Sequence, residues 1–372
     1  MLDGGWIGTG THRLDHQSTT TSTSCSAIHV RLRPAREMSR ALDEKTKEAI
    51  KHGDHAKVFD DIATALSPST NTLLEIELLG QSHQLAPDVA LLQDGSCIAI
   101  PKIRLVQAFV FARRAFTDHV RGDKECSDER LRKATAIMLL MDPEHLTAAN
   151  TRKRLLMNSP ASARETAEIL RKEKLFVDSL LTSRLHRHTK SPVLWNHRRW
   201  LMGRFGTCAV TFDAAKDLRS VVLVSAERHG RNYYAWSHGR QLVSLHPHDA
   251  STALLDEVKK WCFGHHDDVS GWMFALFLLR RFPEEAASLF DETLRLAETF
   301  HWRNESVWYF LRNLLMSGLV EGAAEKRFRS VREGLQQDAR DRNAKGKVLE
   351  QALHWITSYP AELVVPRQDA EG

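Results

Sequence analysis

The stretch "KSPVLWNHRRWLM" at residues 190–202 is the first of four related segments in this chain. The other three are "RNYYAWSHGRQLV" at 231–243, "DDVSGWMFALFLL" at 267–279 and "RNESVWYFLRNLL" at 303–315. Each segment holds a tryptophan at the same offset, and these tryptophans are 41, 36 and 36 residues apart. Such intervals are typical of proteins that stack helical hairpins. We expect four residues to form the core of the repeats: Trp195, Trp236, Trp272 and Trp308.

Each segment also carries a signal for the start of a helix. Residues that favour a helix N-cap stand four positions before the tryptophans, namely Ser191, Asn232, Asp268 and Asn304. Two apolar residues follow six and seven positions after each tryptophan and widen the apolar face of the helix. A weaker fifth copy lies at 145–156, with Ala149 in the tryptophan position. Longer amphipathic segments separate the copies, so each unit is predicted to be a helical hairpin.

The pattern predicts an all-α fold, a right-handed α-α superhelix of helical hairpins similar to a tetratricopeptide solenoid. A small β-hairpin insertion is expected near 73–100, where Asp94 and Gly95 form a turn signal between two short apolar runs. The expected segments are a disordered extension at 1–37, an N-terminal helical region with the hairpin at 38–130, five repeats at 131–318, C-terminal helices at 319–360 and a flexible tail at 361–372.

The composition argues against several classes of protein. The net charge of +5 comes from 52 basic and 47 acidic residues, without a basic stripe interleaved with aromatics, so no nucleic-acid partner is expected. The 5 cysteines are scattered, without CxxC spacing, which argues against a disulfide framework or a zinc site made by this chain. No apolar run is long enough to span a membrane. These features favour a cytoplasmic protein.

Some polar residues recur at fixed offsets in the repeats. Four positions after the aromatic position stands a basic residue in four of the five copies, namely Lys153, Arg199, Arg240 and Arg312. We expect Arg199 and Arg240 to brace adjacent hairpins rather than reach a ligand. His197 and His238, two positions after their tryptophans, are predicted to form inter-helix hydrogen bonds rather than to bind a metal. The "HHDD" stretch at 265–268 is interpreted as an inter-helix turn in which Asp268 caps the next helix.

The strings around the tryptophans resemble the repeat of protein prenyltransferase alpha subunits. The shared pattern is Asn-Tyr or Asn-Glu, then Trp, then His or a large apolar residue, then Arg, and it covers about 145–315. The first copy lacks the tryptophan and the fourth lacks the arginine. The segment at 75–116 is similar to the lead-in of the alpha-subunit-repeat branch that serves a third type of geranylgeranyltransferase.

This resemblance implies the non-zinc subunit of a protein prenyltransferase, active only with a beta subunit, most closely the Rab geranylgeranyltransferase type. Such an enzyme transfers an isoprenoid from geranylgeranyl diphosphate to a cysteine of an acceptor protein. The resemblance places zinc in the partner beta subunit, and neither a cofactor nor a metal in this chain. The alternative is a catalytically silent helical-repeat adaptor that binds other proteins.

The resemblance also implies which residues contact the diphosphate. Lys190 occupies the position of the family's lysine, and Tyr233 that of the tyrosine in its Asn-Tyr pair, so these two are the candidate catalytic residues. Arg231, Asn232 and Tyr234 complete the expected diphosphate site. Cations at helix N-termini suit an anionic leaving group. Lys190 and Arg231 are equally consistent with ordinary exposed charges at helix ends.

Overall fold

The computed structural model describes residue 48 and residues 54–67, 72–80, 83, 85–86, 88–122, 127–158, 162–208, 210, 213–245, 251–337 and 344–358. The disordered extension expected at 1–37 and the flexible tail expected at 361–372 lie outside these residues.

Helices make up most of the described chain, as the repeat pattern predicts. In chain order they are α1 His55–Ala65, α2 Lys102–Val120, α3 Asp128–Met141, α4 Leu146–Met157, α5 Ala163–Leu181, α6 His186–Thr189, α7 Pro192–Thr207, α8 Ala214–Asp217, α9 Val224–Arg228, α10 Tyr233–Leu245, α11 Thr252–Gly264, α12 Val269–Leu279, α13 Ala286–Thr299, α14 Glu305–Met316, α15 Ala323–Gln337 and α16 Ala344–Ser358. A π-helical turn, Leu218–Leu223, joins α8 to α9. A 3-10 turn, Pro283–Glu285, precedes α13. The all-helical hairpin fold is confirmed.

The expected β-hairpin is present but belongs to a larger sheet. Strands β2 (Leu92–Asp94) and β3 (Cys97–Pro101) pair antiparallel. Gly95 occupies the turn with a positive φ of 56°, which favours glycine. A third strand, β1 (Glu75–Leu79), pairs parallel with β3 on its other edge. Local turn residues predict a hairpin, whereas this parallel pairing joins segments distant in sequence and has no local signal.

The helices pack as successive hairpins in two layers. One layer, the tryptophan layer, consists of α4, α7, α10, α12 and α14, and each of these helices contacts the next. The opposing layer has five members: α3, α5, the unit formed by α8, the π-helical turn and α9, then α11 and α13. They pack against the helices of the tryptophan layer in the same order. Helix α16 continues the tryptophan layer by packing on α14.

Three of the four repeated tryptophans pack against the following repeat, and Trp308 packs against Phe328 of α15. Trp195 is nearly buried, while Trp236, Trp272 and Trp308 have no exposed surface. In three cases the ring lies against an aromatic side chain two positions after the next tryptophan. The ring pairs are Trp195 with His238 at 5.4 Å, Trp236 with Phe274 at 5.2 Å, and Trp272 with Phe310 at 4.8 Å between centroids. The side chains at these two repeated offsets therefore form the contact that holds neighbouring hairpins together.

Candidate functional site

The starts of the tryptophan-layer helices are joined by a recurring set of hydrogen bonds. The indole N–H of three tryptophans donates to the carbonyl six residues earlier. These bonds run from Trp195 to Thr189 (2.9 Å), from Trp272 to His266 (3.0 Å) and from Trp308 to Trp302 (2.8 Å). The N-cap side chain of the next repeat reaches the same carbonyl in two cases, Asn232 to Thr189 (2.7 Å) and Asn304 to His266 (2.6 Å).

These bonds bring the predicted site residues to two adjacent helix starts. Lys190 directly follows Thr189, whose carbonyl binds Asn232, and Arg231 and Tyr233 flank Asn232. Lys190 is half-buried and Arg231 is exposed. Among the described residues, neither cationic side chain forms an ion pair or a hydrogen bond. The structure therefore places two unpaired cations at neighbouring helix N-termini.

Arg231 is held in an uncommon backbone conformation. Its φ is 57°, in the left-handed region that non-glycine residues seldom adopt. Its backbone N–H donates to Oδ2 of Asp268 at 2.5 Å. The other oxygen of Asp268 caps α12 by accepting from the N–H groups of Ser270 and Gly271. Asp268 thus fixes the start of its own helix, as predicted for the turn at 265–268, and the loop before α10 as well.

The two tyrosines at the start of α10 face solvent. Tyr233 is 63% exposed and Tyr234 is 36% exposed, and their rings meet edge to face at 5.8 Å. Both phenol groups are accessible to a ligand that approaches this helix start.

Asn232 differs from its neighbours because it is completely buried. Its amide group donates to the carbonyls of Thr189 and Ser225, and its oxygen accepts from the N–H of Ala235. Both amide protons are used within the protein, so no donor remains for a diphosphate. The expected direct contact from Asn232 is therefore replaced by a structural role, which positions Arg231 and Tyr233.

A buried ionic cluster lies behind the site, and the sequence interpretation missed it. Arg198 has no exposed surface and donates to Asp178 at 2.6 Å and to Asp217 at 2.5 Å. Lys174 binds the same two carboxylates at 2.6 and 2.8 Å. Burial raises the pKa of Asp178, but the charges of Arg198 and Lys174 outweigh it and hold that pKa below its usual value.

A second buried pair connects the first two repeats. Arg152 forms a bidentate ion pair with Glu173, with bonds of 2.8 and 2.6 Å, and its guanidinium stacks 4.3 Å from the ring of Phe176. Burial raises the pKa of Glu173, and the charge of Arg152 more than offsets it, so the pKa is lowered. Arg152 and Arg198 both stand three positions after the aromatic position. An arginine at this offset in two copies, with a second arginine next to it at 199, is the sequence signal from which the cluster could have been predicted.

The two predicted inter-helix histidines are buried next to these clusters. His238 contacts the guanidinium of Arg198 through Nε2, as an inter-helix partner. His197 lies 3.4 Å from a carboxylate oxygen of Glu173, but neither of its ring nitrogens has a hydrogen-bond partner among the described residues. Burial lowers the pKa of His197 to about 4. Burial and the charge of Arg198 place the pKa of His238 well below its usual value.

Other predicted side chains take different places. Arg240 lies 5.9 Å from the ring of Phe274 on the next helix, in keeping with a bracing role. Arg199 is exposed and forms no ion pair among the described residues, and its expected bracing role stays a prediction. Nδ1 of His266 lies 3.2 Å from the side-chain oxygen of Asn304.

Across the described residues, no three metal-ligating side chains converge, and no helix is long and apolar enough to cross a bilayer.

The fold and these junctions define a helical-repeat protein in which an N-cap residue and a tryptophan connect successive hairpins. Comparison with known proteins agrees with this class. Residues 194–300 match the family model described as the ECM9 middle domain.

Curated relatives carry the name of the alpha-subunit repeat. The chain is 29% identical over 192 residues to protein prenyltransferase alpha subunit repeat-containing protein 1 of Danio rerio, covering 46% of this chain and 42% of the relative. The Homo sapiens protein of that name is 30% identical over 173 residues, covering 41% and 40%. Geranylgeranyl transferase type-2 subunit alpha of Candida albicans is 29% identical over 134 residues, 35% of each chain. The chain thus spans less than half the length of these relatives, and the resemblance to prenyltransferase alpha-subunit repeats is confirmed.

Proposed function

We propose that this chain is the non-zinc, alpha-type subunit of a heterodimeric protein geranylgeranyltransferase that acts in the cytoplasm with a beta subunit of the Rab type. The observation that carries the proposal is the position of Lys190 and Arg231. Both are cations without an ion-pair partner among the described residues, and they lie at adjacent helix starts. The similarity to a geranylgeranyl transferase type-2 alpha subunit supplies the reaction class.

The proposed reaction forms a thioether. The thiolate sulfur of the acceptor cysteine bonds to the first carbon of the isoprenoid, while the bond from that carbon to the diphosphate oxygen breaks. The electron pair of the broken bond leaves with the diphosphate, so negative charge accumulates there in the transition state. In this proposal the zinc of the partner holds the thiolate, and no metal is assigned to this chain.

This chain would stabilise the leaving group. Lys190 supplies a positive charge that offsets the developing charge, and Tyr233 donates a hydrogen bond from its exposed phenol. Arg231 and Tyr234 lie beside them and would complete the diphosphate contacts. Asn232 contributes only by holding this helix start against the preceding one.

One observation favours the second candidate, a catalytically silent adaptor. The amide of Asn232, expected to contact the diphosphate, is buried and used within the protein. A helix start built for packing alone would look the same at this position.

Co-expression with a beta subunit of the Rab geranylgeranyltransferase type distinguishes the two candidates. The enzyme proposal expects a stable heterodimer that transfers the geranylgeranyl group from its diphosphate to a cysteine-containing acceptor. The separated chain should transfer none. A stable heterodimer without transfer to any acceptor tested would contradict the enzyme proposal and support the adaptor.

A further inference from the structure

Acidic side chains are concentrated in the opposing layer, which carries basic side chains as well. The five helices α4, α7, α10, α12 and α14 contain a single acidic residue, Glu305, at the first position of α14, and α16, which continues the layer, contains Glu350. The basic residues of those five helices are Arg152, Lys153, Arg154, Arg198, Arg199, Arg204, Arg240 and Arg312. The acids that neutralise the buried arginines come from the opposing layer.

Six of these eight basic residues fall into two sets at neighbouring offsets. Arg152 and Arg198, three positions after the aromatic position, turn towards the opposing layer and form buried ion pairs there. The residues one position later are Lys153, Arg199, Arg240 and Arg312. Among the described residues, none of these four forms an ion pair. We call the surface that they share the cation face.

Three of the four cations of this face lie over aromatic rings of the following helix. Lys153 is 5.9 Å from the ring centre of Trp200, Arg240 is 6.0 Å from that of Phe277, and Arg312 is 4.9 Å from that of Trp355. Each contact crosses from one helix of the layer to the next. Aromatic rings partly compensate a cation but do not neutralise its charge.

Three of these cations are partly removed from water without forming an ion pair among the described residues. Lys153, Arg240 and Arg312 are half-buried. Burial lowers the pKa of Lys153 and that of Arg240. An arriving carboxylate would form charge-assisted hydrogen bonds with groups that have already lost part of their hydration.

We propose that the cation face is a docking surface for an acidic α-helix of a partner protein. Neighbouring helices of a layer lie about 8–10 Å apart, so the cations of α4, α7 and α10 recur at about that interval. Carboxylates seven residues apart on one face of an α-helix are separated by about 10 Å. An acidic helix laid across α4, α7 and α10 would therefore meet one cation in each of these three repeats.

The composition of the face favours a protein over a nucleic acid. Half-buried apolar side chains of the same layer include Met273, Phe277 and Leu315, and the ring of Phe277 lies 6.0 Å from Arg240. Arginine, methionine and aromatic residues are enriched in protein interfaces. A nucleic-acid groove needs a continuous exposed basic path along the phosphates, whereas the fourth repeat has Leu276 in place of the cation.

The inference does not rest on the proposed transferase. Lys190 and Arg231 lie at helix starts, whereas the cation face begins in the second turn of the same helices and extends to repeats without a predicted site residue. Failure of either proposal leaves the other standing.

The test measures binding of a fluorescein-labelled, lactam-stapled helical peptide, alanine-rich with glutamate at every seventh position, to the whole chain by fluorescence anisotropy at low salt. The face variant combines Lys153→Gln, Arg199→Gln and Arg240→Gln. The matched control combines Arg164→Gln, Arg171→Gln and Lys216→Gln, three exposed residues of the opposing layer. Both variants lose the same charge. We expect the face variant to bind roughly 10- to 100-fold more weakly, and the control close to wild type.

Several results would overturn the proposal. These are no binding by the wild-type chain, equal losses in the two variants, or tighter binding of a single-stranded RNA oligonucleotide than of the helical peptide. Circular dichroism of each variant checks the fold. If the face variant unfolds, Arg199→Gln alone decides, because Arg199 is exposed and contributes little packing. Its affinity should fall by roughly 2- to 5-fold, and an unchanged affinity would contradict the proposal.

Discussion

The side chain of Asn232 donates a 2.7 Å hydrogen bond to the carbonyl of Thr189, across the boundary between two repeats. The same carbonyl accepts the indole N–H of Trp195, so a single oxygen links a helix, its own tryptophan and the next helix start. Both sides of the bond are buried. The repeat therefore contains this hydrogen-bonded junction as well as a buried tryptophan.

Removing the Asn232 amide should weaken this junction. Asn232→Ala leaves two buried carbonyls with one donor fewer and removes the cap of α10, at a cost of about 1–3 kcal/mol. Asn196→Ala changes an exposed asparagine in α7 and should cost much less. Urea unfolding of both variants measures the difference. Equal losses would mean that the junction contributes little to stability.

The tryptophans make a second stability prediction. Trp236→Ala removes a fully buried ring that contacts Trp261 and Phe274, and should cost about 3–5 kcal/mol. Trp236 also differs from its counterparts because its N–H finds no acceptor among the described residues. Trp236→Phe should therefore cost less than Trp272→Phe, which loses the bond to His266. The reverse order in thermal melts would contradict this account.

Arg198 and Arg199 are adjacent in the sequence, but Arg198 is buried and Arg199 is exposed, so the same substitution at both positions tests the buried ion pairs. Arg198→Met leaves two buried carboxylates with only Lys174 to neutralise them, which should cost about 3–5 kcal/mol. Arg199→Met removes an exposed side chain without an ion pair among the described residues and should change stability little. Denaturant midpoints of the two variants test this. A small loss for Arg198→Met would show that the cluster is not needed for folding.

Acid should destabilise the protein before its carboxylates protonate. The pKa of His197 is about 4 in the folded chain, against an ordinary value near 6.5 in the unfolded chain. The unfolded state therefore binds more protons between those pH values, and stability falls as pH drops, by at most about 1.4 kcal/mol per pH unit for this group. Below that range the paired carboxylates of Glu173 and Asp178 add to the loss, because their pKa values are lowered in the folded state.

Replacement of the histidine tests this assignment. His197→Gln should reduce the fall in stability between pH 6.5 and 4, as measured by urea unfolding at a series of pH values. His119→Gln, at an exposed position of α2, should keep the wild-type pH dependence. An identical slope for His197→Gln and the wild type would exclude His197 as the titrating group.

The sequence predicted the features that recur at fixed offsets and missed those that depend on contact between distant segments. The spacing of the tryptophans predicted the hairpins, because one buried aromatic per unit is a local and repeated demand. Ser191 and Asp268 were predicted as caps and do cap their helices. Asn304 binds the preceding loop instead of its own helix. Local sequence did not show that Arg198, rather than Arg199, faces the opposing layer, because that depends on where its carboxylate partners fold.

The candidate site shows the same limit. Sequence similarity placed Lys190 and Tyr233, and the structure brings their helix starts together through Asn232. The burial of Asn232 was not predictable, because its partners Thr189 and Ser225 come from two other parts of the chain.

The proposed catalytic role makes a prediction that separates chemistry from assembly. In a heterodimer with the beta subunit, Lys190→Ala combined with Tyr233→Phe should reduce single-turnover transfer about 10- to 1000-fold, because both groups act on charge that develops in the transition state. Binding of geranylgeranyl diphosphate should change much less. Both side chains lie at least partly in solvent, so the fold and heterodimer assembly should be retained. Lys172→Ala, at an exposed position of α5, serves as the control and should transfer at the wild-type rate. Transfer by the double variant at the wild-type rate, in an intact heterodimer, would remove Lys190 and Tyr233 from the mechanism and leave the chain as a scaffold for its partner.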